Sequence, residues 1–441
     1  MSARRPITDQ VAPGATQWPR MRLRYLGRLK GGAGFPDVEQ GVKGAELPFF
    51  KVKHLSEADA DGCLRFSEHT VSRDTAAQLG AFIFPAGTIV FAKVGAALLL
   101  NRFMVLGQES CIDNNMMGLV TNGERIDLRF MLHSLALVDF GQVANPGAVP
   151  SLNTEQVAEQ LVPLPPLDIQ KRTADYLDRE TARLDALVAA KERVLGLLAE
   201  KRRALITRAV TRGLDPRAPL KDTGVAWLPQ VQQHWMATKV SRLFRQSKRL
   251  GFADLTVLSV YRDYGVIERS TRDDNVNRVP DDLEKYQLVE AGDLVINKMK
   301  AWQGSLGIAE MSGITSPDYV VFSPLHREVS RFIHYLLRNP LLTTVYLSMS
   351  NGIRTSQWRL EPDRFGSLGL FLPPHDEQRA IVARIDAETG RLDTLVAATE
   401  STISLLKERR AALIAAAVTG QIDVRQHAKR QGASHASAAL S

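Results

Sequence analysis

Apolar residues follow two rhythms along this chain. From about Leu164 to Arg212, and again from about Leu372 to Gly420, they recur at intervals built from threes, fours and sevens; elsewhere they come in short runs broken by glycine, proline and asparagine. The first rhythm predicts two long helices. The stripe of the earlier one reads Leu177, Leu184, Leu187, Val188, Val194, Leu195, Leu198, Leu205 and Ala209; that of the later one reads Ile385, Leu392, Leu395, Val396, Ile403, Leu406, Leu413 and Ala417. So narrow a stripe needs one partner helix, and each helix supplies the other's, which predicts an antiparallel coiled coil within one chain. At ~1.5 Å per residue, roughly 45 residues make a rod on the order of 65 Å. Asp168 is expected to cap the first helix after Pro165 and Pro166, and Gly213 with Pro216 to end it.

The second rhythm predicts strands and turns. Leu47–Lys53, Ala81–Phe84 and Thr88–Val94 read as β-type runs, followed by helical spacing over Arg129–Phe140; after Trp235 a similar succession returns, with Ala291–Lys298 answering Ala86–Lys93 and helical spacing again at Phe332–Leu337. The fold class is therefore α+β: two mixed α/β globules, separated by the two helices and related by a pseudo-two-fold axis. The expected divisions are a flexible tail at 1–17, a globule at 18–163, a helix at 164–212, a linker at 213–234, a second globule at 235–371, a second helix at 372–420 and a disordered tail at 421–441.

The helices are copies of one another. Leu164-Pro165-Pro166-Leu167-Asp168-Ile169-Gln170 returns as Leu372-Pro373-Pro374-His375-Asp376-Glu377-Gln378, and an offset of 208 holds without a gap from Leu152 against Leu360 to Asp215 against Asp423. Glu180–Ala190 answers Glu388–Ala398, and Ala209-Val210-Thr211 answers Ala417-Val418-Thr419. The globules share far less.

Composition narrows the function. Of 441 residues, 44% are hydrophobic and 24% charged, enough to build cores without metals or disulfides; Cys63 and Cys111, the only cysteines, form no CxxC and suit a reducing compartment. The polar start after Met1 predicts no secretory signal, and Ile89–Leu106, interrupted by Lys93 and Arg102, is too short to span a bilayer, so a cytoplasmic protein is expected. The formal charge of +8 favours a polyanionic partner. Neither GxxxxGK[ST], HExxH, GxSxG nor a strand-borne GxGxxG occurs; Gly31-Gly32-Ala33-Gly34 reads as a loop, and His54 with His69 lacks zinc-ligand spacing. No catalytic centre is legible.

Two dissimilar globules, each followed by a nearly invariant long helix opening on Leu-Pro-Pro and passing through Glu180-Thr181-Ala182-Arg183-Leu184-Asp185 or Glu388-Thr389-Gly390-Arg391-Leu392-Asp393, resemble the specificity subunit of type I restriction-modification enzymes; the Arg212–Pro216 exit and the Trp227-Leu228-Pro229 approach add to the resemblance, which covers essentially the whole chain. It implies that the globules are target recognition domains, each reading one half of a bipartite, asymmetric site in double-stranded DNA. It implies too that the helices fix the half-site spacing and dock two modification (M) subunits, and that restriction (R) subunits join them. Catalysis would belong to those partners, with S-adenosylmethionine in M and ATP with Mg in R, and this chain would carry no cofactor or metal. Competing readings are a self-contained DNA methyltransferase or nuclease, which lacks its motifs here, and a coiled-coil structural adaptor.

Candidate DNA contacts follow from residue chemistry. Lys93 and Lys298 end equivalent strands, with Lys300 beside the second; Asn351, Arg354, Gln357 and Arg359 share a polar loop with Trp358, and arginine or an amide can pair bidentately with guanine or adenine edges. Arg102, Asn114 and Asn115 are the further candidates in the first globule. For each, a solvated surface residue is the competing reading. Lys201-Arg202-Arg203 and Glu408-Arg409-Arg410 are expected on exposed helix faces, facing solvent, M or DNA.

Overall fold

The computed structural model describes residues 18–59, 61–272, 282–352, 358–422 and 424; the expected tail at 1–17 and nearly all of that at 421–441 lie outside the described residues. The chain divides into two compact units, one of Met1–Ala190 with Thr402–Ser441, the other of Lys191–Ser401.

The first unit is built on β1 (Gly27–Gly31), β2 (Cys63–Leu64), β3 (Ile89–Ala92), β4 (Met104–Leu106) and β5 (Met116–Thr121), in the order β1-β5-β3-β4-β2. All four residues of β3 are buried because the strand is central and covered on both faces. Ile89 and Phe91 pack with Phe130, Met131 and Leu135 of α1 (Leu128–Leu135), whereas Val90 and Ala92 pack with Phe50, Phe84 and Ile112. Asp127 caps α1, its carboxylate accepting from Arg129 and Phe130 N–H at 3.0 and 3.1 Å. This helix is shorter than its spacing predicted, and the Ala81–Phe84 run joins no sheet: Phe84 makes an isolated antiparallel bridge to Ser110.

The long helix α2 spans Leu167–Arg212. The second unit contributes β6 (Phe244–Ser247), a hairpin of β7 (Leu258–Tyr261) and β8 (Gly265–Glu268), then β9 (Leu294–Asn297), β10 (Leu306–Ile308), β11 (Tyr319–Pro324), α3 (Ser330–Leu337) and the first part of the second long helix, α4 (His375–Val418), whose residues from Thr402 belong to the first unit. Its main sheet, β6-β11-β9-β10, repeats the order β1-β5-β3-β4. The expected linker at 213–234 is instead largely a hairpin, Leu220–Val225 against Leu228–Gln232, whose Leu228 and Val231 join Trp235 in the second core. Pro229 does not break it, because it lies where the register shifts and no ladder N–H is required.

The helix boundaries shift slightly from the sequence reading. α2 begins at Leu167, so Asp168 is not the cap but lies in the first turn, where a carboxylate is favoured by the helix dipole. Gly213 takes φ +67° just past the end, a conformation glycine adopts without strain.

Burial corrects the expected stripe. The less exposed positions of α2 run Leu177, Thr181, Leu184, Val188, Lys191, Leu195, Leu198, Arg202, Leu205 and Ala209, alternating four and three, and the same positions displaced by 208 serve α4: Ile385, Thr389, Leu392, Val396, Thr399, Ile403, Leu406, Arg410, Leu413 and Ala417. Leu187 and Leu395, expected in the seam, are 43% and 53% exposed. Each stands one residue before a seam valine, and one residue is about 100° around a helix.

Within each unit the long helices pack antiparallel. In the first, Ala174 and Leu177 share a core with Ile414, Ala417 and Val418; in the second, Ala209 and Val210 share one with Ile381 and Ile385. Arg410 pairs with Asp185 at 2.9 Å in the first unit, and Arg202 with Asp393 in the second. Arg202 corresponds to Arg410 and Asp185 to Asp393 at the same offset, so the contacts are reciprocal, as in an isologous interface. These exposed pairs contribute little stability, but they occupy two of the arginines that the sequence left open to DNA or M.

Candidate nucleic-acid interface

In the second unit those expected contact residues that the structure describes, Lys298, Lys300, Asn351 and Arg359, lie around the end of β9. Lys298 follows this strand, and its carbonyl accepts from Leu360 N–H at 2.9 Å, drawing the segment before α4 against the turn that carries exposed Lys300. Asn351 and Arg359 stand opposite each other in a short antiparallel pair, and the Asn351 amide donates to Glu361. Trp358 donates to the Gly352 carbonyl at 3.1 Å and meets Trp302 edge-on, with ring centroids 5.6 Å apart. Arg354 and Gln357 lie outside the described residues. Trp302 carries a single sequence signal, an indole four residues past a strand-end lysine, too slight to mark it without the fold.

In the first unit Lys93 follows β3 in the same way. Its N–H donates to the Asn115 carbonyl at 2.8 Å, which sets Lys93 beside the turn of Asp113, Asn114 and Asn115. Asp113 shapes that turn by accepting from Asn115 N–H at 2.9 Å, and its burial raises its carboxyl pKa. The glycine-rich stretch packs here: a Cβ on Gly32 would stand 2.0 Å from the Asp113 carbonyl oxygen, so only glycine fits. Asn114, Asn115 and Arg102 are exposed, Arg102 in the loop before β4.

Each globule is fastened to its long helix by the glutamine of the repeated motif. Gln170 accepts from Asp127 N–H at 2.8 Å and donates to the Pro165 carbonyl at 2.8 Å; Gln378 accepts from Val329 N–H at 3.0 Å and donates to the Pro373 carbonyl at 2.9 Å. Both side chains are fully buried, and both hold the N-terminus of the helix that covers the sheet. Asp178 and Asp386 repeat the device a little further on: Arg129 and His133 of α1 bind Asp178, and Arg331 and Tyr335 of α3 bind Asp386.

His54, Glu68 and His69 offer ligand atoms within 4.8 Å of one another, the one such group of three among the described residues, and their spacing gave no sign of it. Lys51 N–H donates to Nδ1 of His54 at 2.7 Å, and Gly41 N–H to Nδ1 of His69 at 2.9 Å. This assigns the proton of each neutral ring to Nε2, which faces Glu68 at 2.7 and 3.4 Å. A cation would need those Nε2 lone pairs, so the cluster acts as a carboxylate clasp that joins three loops.

Burial also governs His334 of α3, whose pKa falls from 6.5 to about 4, chiefly by desolvation and then by Arg338 nearby. The folded state holds this ring neutral while the unfolded chain protonates it, so stability is complete above pH 6.5 and lost as pH falls towards 4, by up to roughly 3 kcal/mol. Urea melts at pH 7 and 4.5 check this: His334→Gln should reduce the acid loss, and an unchanged loss would contradict it.

Residues 18–195 match the family described as Type I restriction modification DNA specificity domain. The chain is 19% identical to the Type I restriction enzyme EcoBI specificity subunit of Escherichia coli, over 93% of this chain and 88% of that one. It superposes with a TM-score of 0.66 on a chain from a structure of complex assembly and conformational transition in a type I R-M system, at 16% identity, covering 94% of this chain and all of that one. No helix among the described residues is long and apolar enough to cross a membrane. The specificity subunits of this family are non-catalytic and carry no cofactor of their own. With the matching family domain over residues 18–195, the near full-length similarity and two α/β globules carried by paired long helices, the chain is similar throughout to the DNA specificity subunits of type I restriction-modification systems.

Proposed function

We propose that residues 18–163 and 235–371 each read one half of a bipartite, asymmetric site in double-stranded DNA, and that the helices at 164–212 and 372–420 bind two modification subunits, to which restriction subunits attach in the cytoplasm. The observation that carries this reading is the split between what is duplicated and what is not. Seam, glutamine anchors and crossed ion pairs recur at one offset, as a scaffold that shows the same partner the same face twice must; apart from the strand-end lysines the candidate contact residues differ, as two readers of different sequences must. Lysines at the strand ends would bind phosphate and position the duplex, while asparagine and arginine side chains would discriminate bases. S-adenosylmethionine would be held by the modification subunit and ATP with Mg by the restriction subunit. Retention of DNA by the chain with its modification partner should fall linearly in log–log with salt; salt-independent retention would contradict phosphate contact.

The modification subunits would use the apolar residues that the seam leaves outside. Leu187 and Leu405 are exposed in the first unit, and Leu395 and Leu197, their counterparts at the offset, in the second. Replacing Leu187 and Leu395 by aspartate should leave the melting temperature within a few degrees of wild type and weaken modification-subunit binding at least about tenfold, since burying one leucine contributes roughly 1.5–3 kcal/mol. Titration calorimetry checks it; unchanged affinity would place the docking surface elsewhere.

A further inference from the structure

The β7–β8 hairpin has no place in the sheet order common to both units. Its register, Tyr261 opposite Gly265, leaves a three-residue tip of Arg262, Asp263 and Tyr264. That tip is open: the Arg262 side chain is 66% exposed and Tyr264 58%. Behind it the Arg272 guanidinium lies 5.3 Å from the Tyr261 ring and 5.0 Å from the Tyr264 ring, so the aromatic residues and an arginine form one stacked group.

The tip is also held in place from beneath. Arg338, at the end of α3, donates to the carbonyls of Arg262 at 2.7 Å, Leu306 at 2.8 Å and Tyr261 at 3.4 Å, tying both the turn and strand β10 to the helix. Gly265 takes φ +80°, and a Cβ there would stand 2.8 Å from Cε1 of His334 and 3.1 Å from Nη1 of Arg338. Arg338 is only partly open to solvent, and a guanidinium desolvated to donate to three carbonyls, with the Asp263 carboxylate of the tip as its charge partner, is a costly way to fasten a surface turn unless its position matters.

We propose that this hairpin tip is a base-reading element of the second recognition unit, with Arg262 and Tyr264 as specificity-determining residues and Arg338 as the positioning residue that fixes them. The inference rests on the reading of residues 235–371 as a recognition domain. A two-stranded ribbon is of a size that the major groove of duplex DNA admits, and an exposed arginine on a rigid turn can present its donor fork to O6 and N7 of guanine. Tyr264, stacked with Arg272, limits the directions in which the tip can meet a base edge. The duplicated scaffold, which recurs in the first unit, cannot distinguish one target from another; this hairpin can.

The full-length chain is tested with its modification partner in cells, with methylated sites mapped across the host genome. Arg262→Ala and Tyr264→Ala, both at exposed positions, should relax the motif in one half-site and lower methylation of the original sites about ten- to hundredfold, with the other half-site unchanged. Arg338→Met should give the same one-sided loss, and Arg338→Lys should restore part of it. An unaltered motif and level in both exposed variants would overturn the proposal, and loss in both half-sites with Arg338→Met would assign that residue to folding alone. A wild-type chain that directs no sequence-specific methylation would overturn the recognition-domain reading itself.

Discussion

Replacing Leu177 and Ile385 together by aspartate is expected to abolish cooperative folding of the chain. Both side chains are fully buried, at equivalent places in the repeat but in the cores of different units. Each substitution removes about 1.5–3 kcal/mol of apolar burial and places an unpaired carboxylate among hydrocarbon, which costs several kcal/mol more. Effects at separate cores add, and their sum is comparable with the ~5–15 kcal/mol that holds an ordinary domain together. Circular dichroism melts should show each single variant losing stability and the double variant losing its transition. The contrast with Leu187 and Leu395, also large aliphatic residues on the same helices, makes the test specific to the seam. A double variant that melts like wild type would refute the packing.

A chain ending near residue 225 should form a homodimer. It keeps the first globule and α2 but loses Ile414, Ala417 and Val418, which close the first unit's core around Ala174 and Leu177. The residues that correspond to them at the offset are Ile206, Ala209 and Val210 of α2 itself, so a second copy brings what the first has lost, and Arg202 of one copy can pair with Asp185 of the other. Left unpaired, the stripe exposes several large side chains at roughly 1.5–3 kcal/mol each, enough to favour an isologous dimer at micromolar concentration. With the modification partner, such a dimer should methylate an inverted repeat of one half-site. Sedimentation gives the first check and methylation mapping the second; a folded monomer that binds the partner tightly would defeat the argument.

What could be read in the sequence was what repeats locally. The two helices and their antiparallel pairing follow from heptads and from one unbroken offset. The phase of the stripe was harder. At Leu187-Val188 and Leu395-Val396 two apolar residues adjoin, and the choice between them is made by Thr181, Lys191 and Thr399, seam positions that a count of hydrophobic residues passes over. Sheet order was out of reach because its pairs are distant along the chain: Gly27 meets Thr121, and Phe244 meets Pro324. The same distance hid the His54–Glu68 clasp and Arg338 beneath the hairpin. Strand-end lysines were visible as motif echoes, whereas the turn they adjoin in each globule depends on which loop folds back onto it.

The central claim is that two different readers are carried on one duplicated scaffold, and methylation mapping tests it most directly. In a host whose only type I system contains this chain, methylated adenines are located across the genome before and after residues 235–371 are exchanged for the corresponding segment of another specificity subunit. The account predicts a motif of two dissimilar half-sites separated by an unread spacer, of which the exchange alters one half and leaves the other half and the spacer as they were. A motif changed in both halves, or in neither, would contradict it.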